Sequence, residues 1–149
     1  MASIPLRALD DAAFAPFGKI LHIASPRADV AARGDNEFLV VDESTNGDGW
    51  RLAVQIVRRR TLTQVGHHPN TRETFEPVTG LTVICVAPLA TPDELTAFVL
   101  DQPVVVNDHI WHGLIALSAE AIVKIAENRE VVGVNHILVA PRSVVLAAS

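Results

Sequence analysis

Apolar, β-branched runs separated by turn residues recur along this chain. They read Lys19–Ile23, Glu37–Val41, Leu52–Val57, Thr61–Val65, Leu81–Ala87, Val104–Val106, Ile110–Leu117, Ala121–Ala126 and Asn135–Val139, and their shortness and wealth of Val, Ile and Thr predict strands. The separators carry turn chemistry: Ser25-Pro26, Gly34-Asp35-Asn36, Asn46-Gly47-Asp48-Gly49, Pro69-Asn70, Thr79-Gly80, Pro88, Thr91-Pro92-Asp93, Asn107-Asp108 and Asn128. Many short strands in one small chain predict a sandwich or barrel. Helix is expected in two places at most. Residues Asp10 to Phe17 support a single turn, because Pro16 cannot continue a helix and Gly18 follows. Asp93 to Val99 (DELTAFV), capped by Thr91 or Asp93, reads as a short helix or an irregular crossover.

Several predicted strands are apolar on both alternating faces, notably FLVV, TVICVA, VVV and the AIV of AIVKIA. A half-solvated antiparallel strand alternates, so these strands are expected to be covered on both sides. One small sandwich cannot easily cover so many, and a homodimer with an apolar interface is expected. No internal repeat, low-complexity segment or linker divides the sequence, so residues 1–149 are read as one domain.

Composition narrows the function classes. With 149 residues and 49% hydrophobic content the chain can bury a core. A net charge of −5 gives no footprint for nucleic acid or an anionic membrane, and Arg58–Arg60, the only basic run, reads as a solvated strand end or turn. The single cysteine, Cys85, lies in LTVICVAP and is expected to be a buried, inert thiol. The opening MASIPLRALDD has no signal-peptide pattern and no apolar stretch reaches membrane-spanning length, so a cytoplasmic protein is the expectation.

Chemistry concentrates in two segments. In GHHPNTRETFEPVTG, His68 stands five residues before Glu73 and Glu73 seven before Gly80; the second segment is DHIWHG. His67, His68, His109 and His112 are four of only six histidines. Residues an odd number apart on a straight strand face opposite ways, so His68 and Glu73 converge only if the chain bends, and Pro69-Asn70-Thr71 supplies the bend. His68 is then expected to end one strand and Glu73 to begin the next, in a hairpin. In Ile110 to Leu117, His112 shares a face with Leu114 and Ala116, opposite Trp111, Gly113 and Ile115. His68, Glu73 and His112 are therefore candidate metal ligands. Two imidazoles and a carboxylate suit Zn²⁺, Ni²⁺, Mn²⁺ or Fe²⁺ and leave positions open for a substrate. Of the adjacent pair, spacing to Glu73 favours His68 as ligand, with His67 at the rim. His22 and His136, without partners nearby in sequence, are read as structural.

The spacing of His68, Glu73 and Gly80 resembles the second half of the first cupin motif, and His112 resembles the histidine of the second. HHPNTRETFEP, then LTVICVAP, then TPDELTAFVLDQPVVVNDHIWHGLIAL, with the opening AFAPFGKIL and a weaker likeness to Glu127, resemble the ureidoglycolate lyase family. That resemblance implies an all-β, cupin-type double-stranded β-helix, or jelly-roll barrel, with minor short helices. It also implies a homodimer, a divalent metal such as nickel, and carbon–nitrogen cleavage of ureidoglycolate to glyoxylate and urea in purine-nitrogen salvage, the degradation of allantoin. In such a lyase His109 or His67 is the expected acid and base. Arg72 or Arg51 is expected to pair with the substrate carboxylate, with Trp111 as a further contact. The chain departs from the family by carrying Glu73 where Gln is usual, and Gly113-Leu114 where a His and a Pro follow the Trp-His pair. The stretch before Gly47 also lacks a clear match to the family's Asn-x-Gly and Arg elements. Two other readings are another cupin enzyme on a small hydroxy or keto acid, including an Fe²⁺ dioxygenase, and a non-catalytic ligand-binding barrel.

Overall fold

The structure is a computed structural model that describes residues 10–17 and 36–145. The strand expected at Lys19 to Ile23, the turns Ser25-Pro26 and Gly34-Asp35, and His22 lie outside them. Among the described residues, one helical turn, α1 (Asp11–Phe14), precedes ten strands: β1 (Asn36–Ser44), β2 (Trp50–Val57), β3 (Leu62–His67), β4 (Glu73–Thr79), β5 (Thr82–Ala87), β6 (Thr96–Val99), β7 (Val104–Val106), β8 (Trp111–Ala116), β9 (Ala121–Asn128) and β10 (Val134–Arg142). They form two five-stranded sheets, β1-β2-β9-β4-β7 and β10-β3-β8-β5-β6, and every pair of neighbours is antiparallel. Among the described residues no helix is long and apolar enough to cross a membrane.

The strand period fixes what each sheet buries. Ala121, Val123 and Ile125 of β9 alternate inward and meet Ile84 of β5 with Leu114 and Ala116 of β8, so the main core lies between the sheets. The residues between them point the other way. Ile122 packs with Val54 and Ile56 outside the first sheet. Trp111 and Ile115 pack with Val83, Cys85 and Leu138 outside the second, where Leu95 and Val144 join them. Of the doubly apolar runs, TVICVA in β5 and AIV in β9 are covered on both faces, β5 in part by segments of its own chain, whereas Phe38 and Val40 of β1 and Val104 and Val105 of β7 stay exposed. Cys85 is buried, and burial pushes its thiol up to about 11, away from reactivity.

Two expectations are corrected. DELTAFV is not helical at its end: Thr96–Val99 is the edge strand β6, paired with Val83 to Val86 of β5. Pairing to a distant strand satisfies its backbone, and that outweighs the local helix signals at Asp93 and Glu94. The link from His68 to Glu73 is also not a hairpin. β3 pairs with β8 and β10 while β4 pairs with β7 and β9, so the bend at Pro69 carries the chain from one sheet to the other. Gly80 closes the next turn at φ 72°, where an added Cβ would strike the Glu120 carbonyl.

Candidate metal centre

The sheet-to-sheet bend is pinned from several sides. Asn70 donates from its amide to the Glu130 carbonyl at 2.9 Å and accepts from the Val132 amide at 2.9 Å. Thr71 Oγ1 accepts from the Asn128 amide at 3.0 Å, and Thr74 Oγ1 accepts from the Ala126 amide at 2.8 Å. On the other side the His109 amide donates to the His68 carbonyl at 3.1 Å, from a turn in which His109 holds φ 62°. Few residues adopt that left-handed conformation, and it folds the β7–β8 connection back against the bend. Meanwhile Gly66 of β3 pairs with His112 of β8. The two histidines and the first residue of β4 are thereby brought into one place.

Glu73 Oε2 lies 2.9 Å from His112 Nε2 and 3.3 Å from His68 Nε2. One donor atom from each residue falls within 4.8 Å of the others. The remaining imidazole nitrogens decide what this contact means. His68 Nδ1 faces the Val132 carbonyl at 3.0 Å and His112 Nδ1 faces the Ile110 carbonyl at 3.0 Å. A carbonyl only accepts, so in each neutral ring the proton sits on Nδ1 and Nε2 presents a lone pair. Two lone pairs therefore converge on a carboxylate oxygen that is buried and lacks a well-formed hydrogen bond. Three acceptors arranged this way are complementary to a cation, and imidazoles oriented through their outer nitrogen are the usual support of a metal ligand. The residues fit a divalent transition metal ion.

Electrostatics agree with the geometry. Burial pushes the Glu73 carboxyl up, but the His112 and His68 rings outweigh it and hold the group at about 2. Glu73 in turn raises the His68 pKa against the effect of burial, and the Val132 carbonyl adds to the rise. The centre draws positive charge to Nε2, whether a proton or a metal ion supplies it.

The three residues line a cavity of about 310 Å³ between the sheets, and Arg51, Arg59 and Glu127 line it with them. Arg51 is occupied: its Nε and a terminal nitrogen both lie 2.8 Å from Glu127 Oε1. Glu127 is only 6% exposed, and its carboxyl is pushed up by burial and by the charge of Glu73, against the pull of Arg51. Neutral amides from Gln55, Gln64 and Asn135 complete the polar wall.

Four residues expected at the site lie elsewhere. Trp111 points out of the opposite face of β8 and donates to the Leu89 carbonyl at 3.0 Å. His67 packs edge-on to Trp111 with ring centroids 4.4 Å apart and stacks on His109 at 5.8 Å. Neither histidine is among the described residues that line the cavity, and Arg72 is exposed outside it. Burial and the neighbouring imidazoles lower the His67 pKa, which keeps that ring neutral. Two cavity residues went unread in the sequence. Arg59 sits in a basic run that resembles a solvated turn, and Glu127 meets Arg51 across a separation of 76 residues, which no local pattern signals.

Comparison with known proteins adds the lineage. The family model described as ureidoglycolate lyase matches residues 1–140. No curated protein sequence matches the chain. Among solved structures, an oxalate oxidase in complex with the substrate analogue glycolate superposes with a TM-score of 0.56 at 15% identity, over 70% of this chain and 56% of that one. KdgF from Halomonas sp. gives 0.51 at 14% identity, over 67% of this chain and 85% of that one. CapF with the inhibitor 3-isopropenyl-tropolone gives 0.55 at 16%, over 67% and 30%. The chain thus spans under a third of the CapF chain and just over half of the oxalate oxidase. Likeness at these identities speaks to the fold, which is the cupin-type jelly-roll barrel expected from the sequence.

Proposed function

This chain belongs to the ureidoglycolate lyase family, and from that premise we propose that it is a metal-dependent carbon–nitrogen lyase that cleaves ureidoglycolate to glyoxylate and urea. The observation that carries the reading is the convergence of His68 Nε2, His112 Nε2 and Glu73 Oε2 on the wall of a polar cavity. These three residues would hold a divalent ion such as Ni²⁺, Zn²⁺, Mn²⁺ or Fe²⁺, which supplies Lewis acidity toward the substrate's hydroxyl and carboxylate oxygens.

The remaining chemistry falls to the chain's own groups. Cleavage moves one proton from the carbinol hydroxyl to the departing nitrogen as the carbon–nitrogen bond breaks and the carbonyl forms. We assign that transfer to Glu127, which lines the cavity and whose pKa is raised by burial and by the charge of Glu73 against the pull of Arg51. Arg51 holds that carboxyl in position rather than pairing with substrate. Gln55, Gln64 and Asn135 offer amide donors and acceptors matched to a ureido group. His67 and His109, the acid and base expected from sequence, support the bend from behind. The reading includes a homodimer, with Phe98, Val99 and Val105, each half or more exposed along one shallow groove, as the contact surface. Light scattering that gives a monomer mass overturns that element alone.

The test is a stoichiometric assay. Purified, metal-loaded protein given ureidoglycolate is expected to release glyoxylate and urea in equal amounts, and release of ammonia instead of urea, or no turnover, contradicts the proposal. The two-histidine, one-carboxylate donor set favours one second reading, an Fe²⁺ oxygenase of a small hydroxy or keto acid. Oxygen consumption coupled to loss of such an acid separates it from a lyase.

A further inference from the structure

Among the described residues, three of the four formal charges on the cavity wall are already compensated. Arg51 and Glu127 neutralise each other at 2.8 Å, and Glu73 faces the two imidazoles. The fourth is Arg59, which lines the same cavity. Its Nε is buried without a hydrogen-bond partner, and no ion pair to Arg59 occurs among the described residues. A buried guanidinium N–H left unpaired is costly, and of the described arginines with such a nitrogen Arg59 alone lines the cavity, where a ligand can complete it. The segment that carries it is fixed: the Arg59 carbonyl accepts from the Ala116 amide at 2.9 Å, and the flanking Arg58 and Arg60 are engaged with Glu120 and the Ala116 carbonyl.

We propose that Arg59 is the carboxylate anchor of this cavity, so that the site selects small monocarboxylates by pairing the acid with Arg59 while the amide wall meets the rest of the molecule. The proposal deepens the lyase reading and rests on it for the identity of the substrate, but not for the class. A guanidinium presents parallel N–H donors to a carboxylate, which a lysine at the same place cannot reproduce.

The experiment compares binding of glycolate with binding of glycolamide, its uncharged counterpart, by calorimetry on the metal-loaded protein, and repeats both with R59Q and R59K. Wild type is expected to prefer glycolate, and R59Q to bind it roughly 10- to 100-fold more weakly, the range for a charge-assisted hydrogen bond. Glycolamide binding should be unchanged in both variants, and R59K should keep only part of the preference. With ureidoglycolate, R59Q should raise KM more than it lowers kcat. Equal binding of both probes by wild type, or a glycolate preference that survives in R59Q, overturns the proposal. If R59Q does not fold, full glycolate affinity in R59K overturns it. The lyase reading fails separately: a chain that shows the Arg59-dependent preference but does not cleave ureidoglycolate keeps the anchor and loses the substrate.

Discussion

Two imidazole clusters lie back to back across β8, and they differ in what their nitrogens face. On the inner face, His68 and His112 each commit Nδ1 to a backbone carbonyl and turn Nε2 toward one carboxylate oxygen. On the outer face, His67 lies between Trp111 and His109 with its Nδ1 unpartnered. There His136 pairs with Asp93 at 2.8 Å, and Trp111 packs beside it with ring centroids 5.7 Å apart. The residue types match, and two pairs are sequence neighbours, 67 with 68 and 111 with 112. Density of histidine therefore carries little information about metal binding. Convergence of lone pairs on a buried anion separates a candidate centre from packing.

The comparison breaks most visibly at Glu73. Glu73→Ala removes the anion on which both rings converge and is expected to cost more than about 100-fold in metal affinity, beyond the range of a supporting residue, with activity lost in parallel. Metal titration followed by turnover checks both. Next in size is Glu127→Gln, which should keep the metal and lower kcat by about 10²- to 10⁴-fold, the usual contribution of a general acid or base. Unchanged turnover would move the proton carrier elsewhere.

Asn70→Ala probes the support of the inner face. It frees the loop that presents the Val132 carbonyl to His68, and metal affinity should fall by about 10- to 100-fold without loss of fold. The outer face should behave otherwise. His67→Phe keeps an aromatic edge against Trp111 and removes an unpaired buried nitrogen, so metal affinity should hold and stability shift by less than about 1 kcal/mol. A metal-free His67→Phe protein would erase the distinction between the faces.

The smallest effect concerns pH. The Val139 amide and His136 hold the Asp93 carboxyl below its ordinary value of 3.8. A depressed carboxylate stabilises the fold above its unfolded pKa, and that contribution is lost as pH falls through the lower folded value. Asp93→Asn should therefore melt below wild type at neutral pH, with the gap closing as pH drops beneath 3.8, and a gap independent of pH would remove the ionic role.

How much of this was legible in the sequence depends on the range of the signal. The β-branched runs of β2, β5, β8 and β9 and the parity of His112 are local, and the structure repeats them. β4 begins at Glu73, as the ligand argument required, but its acidic residues and Pro77 hide it from strand patterning. The fold accommodates that proline at a register shift between Pro77 and Thr79. β6 was hidden because its strand state comes from β5, not from its own residues. Arg59 and Glu127 gain their meaning only when distant strands meet around the cavity, and Glu127 lies directly opposite Arg51 in the β2–β9 pairing although 76 residues separate them in sequence.

The most direct test of the centre is a titration of metal-stripped protein with Ni²⁺ or Zn²⁺, read by calorimetry beside His112→Ala of matching circular dichroism. One ion per chain in wild type and none in the variant is the expected result. Absence of binding in wild type, or equal binding in folded His112→Ala, would contradict it.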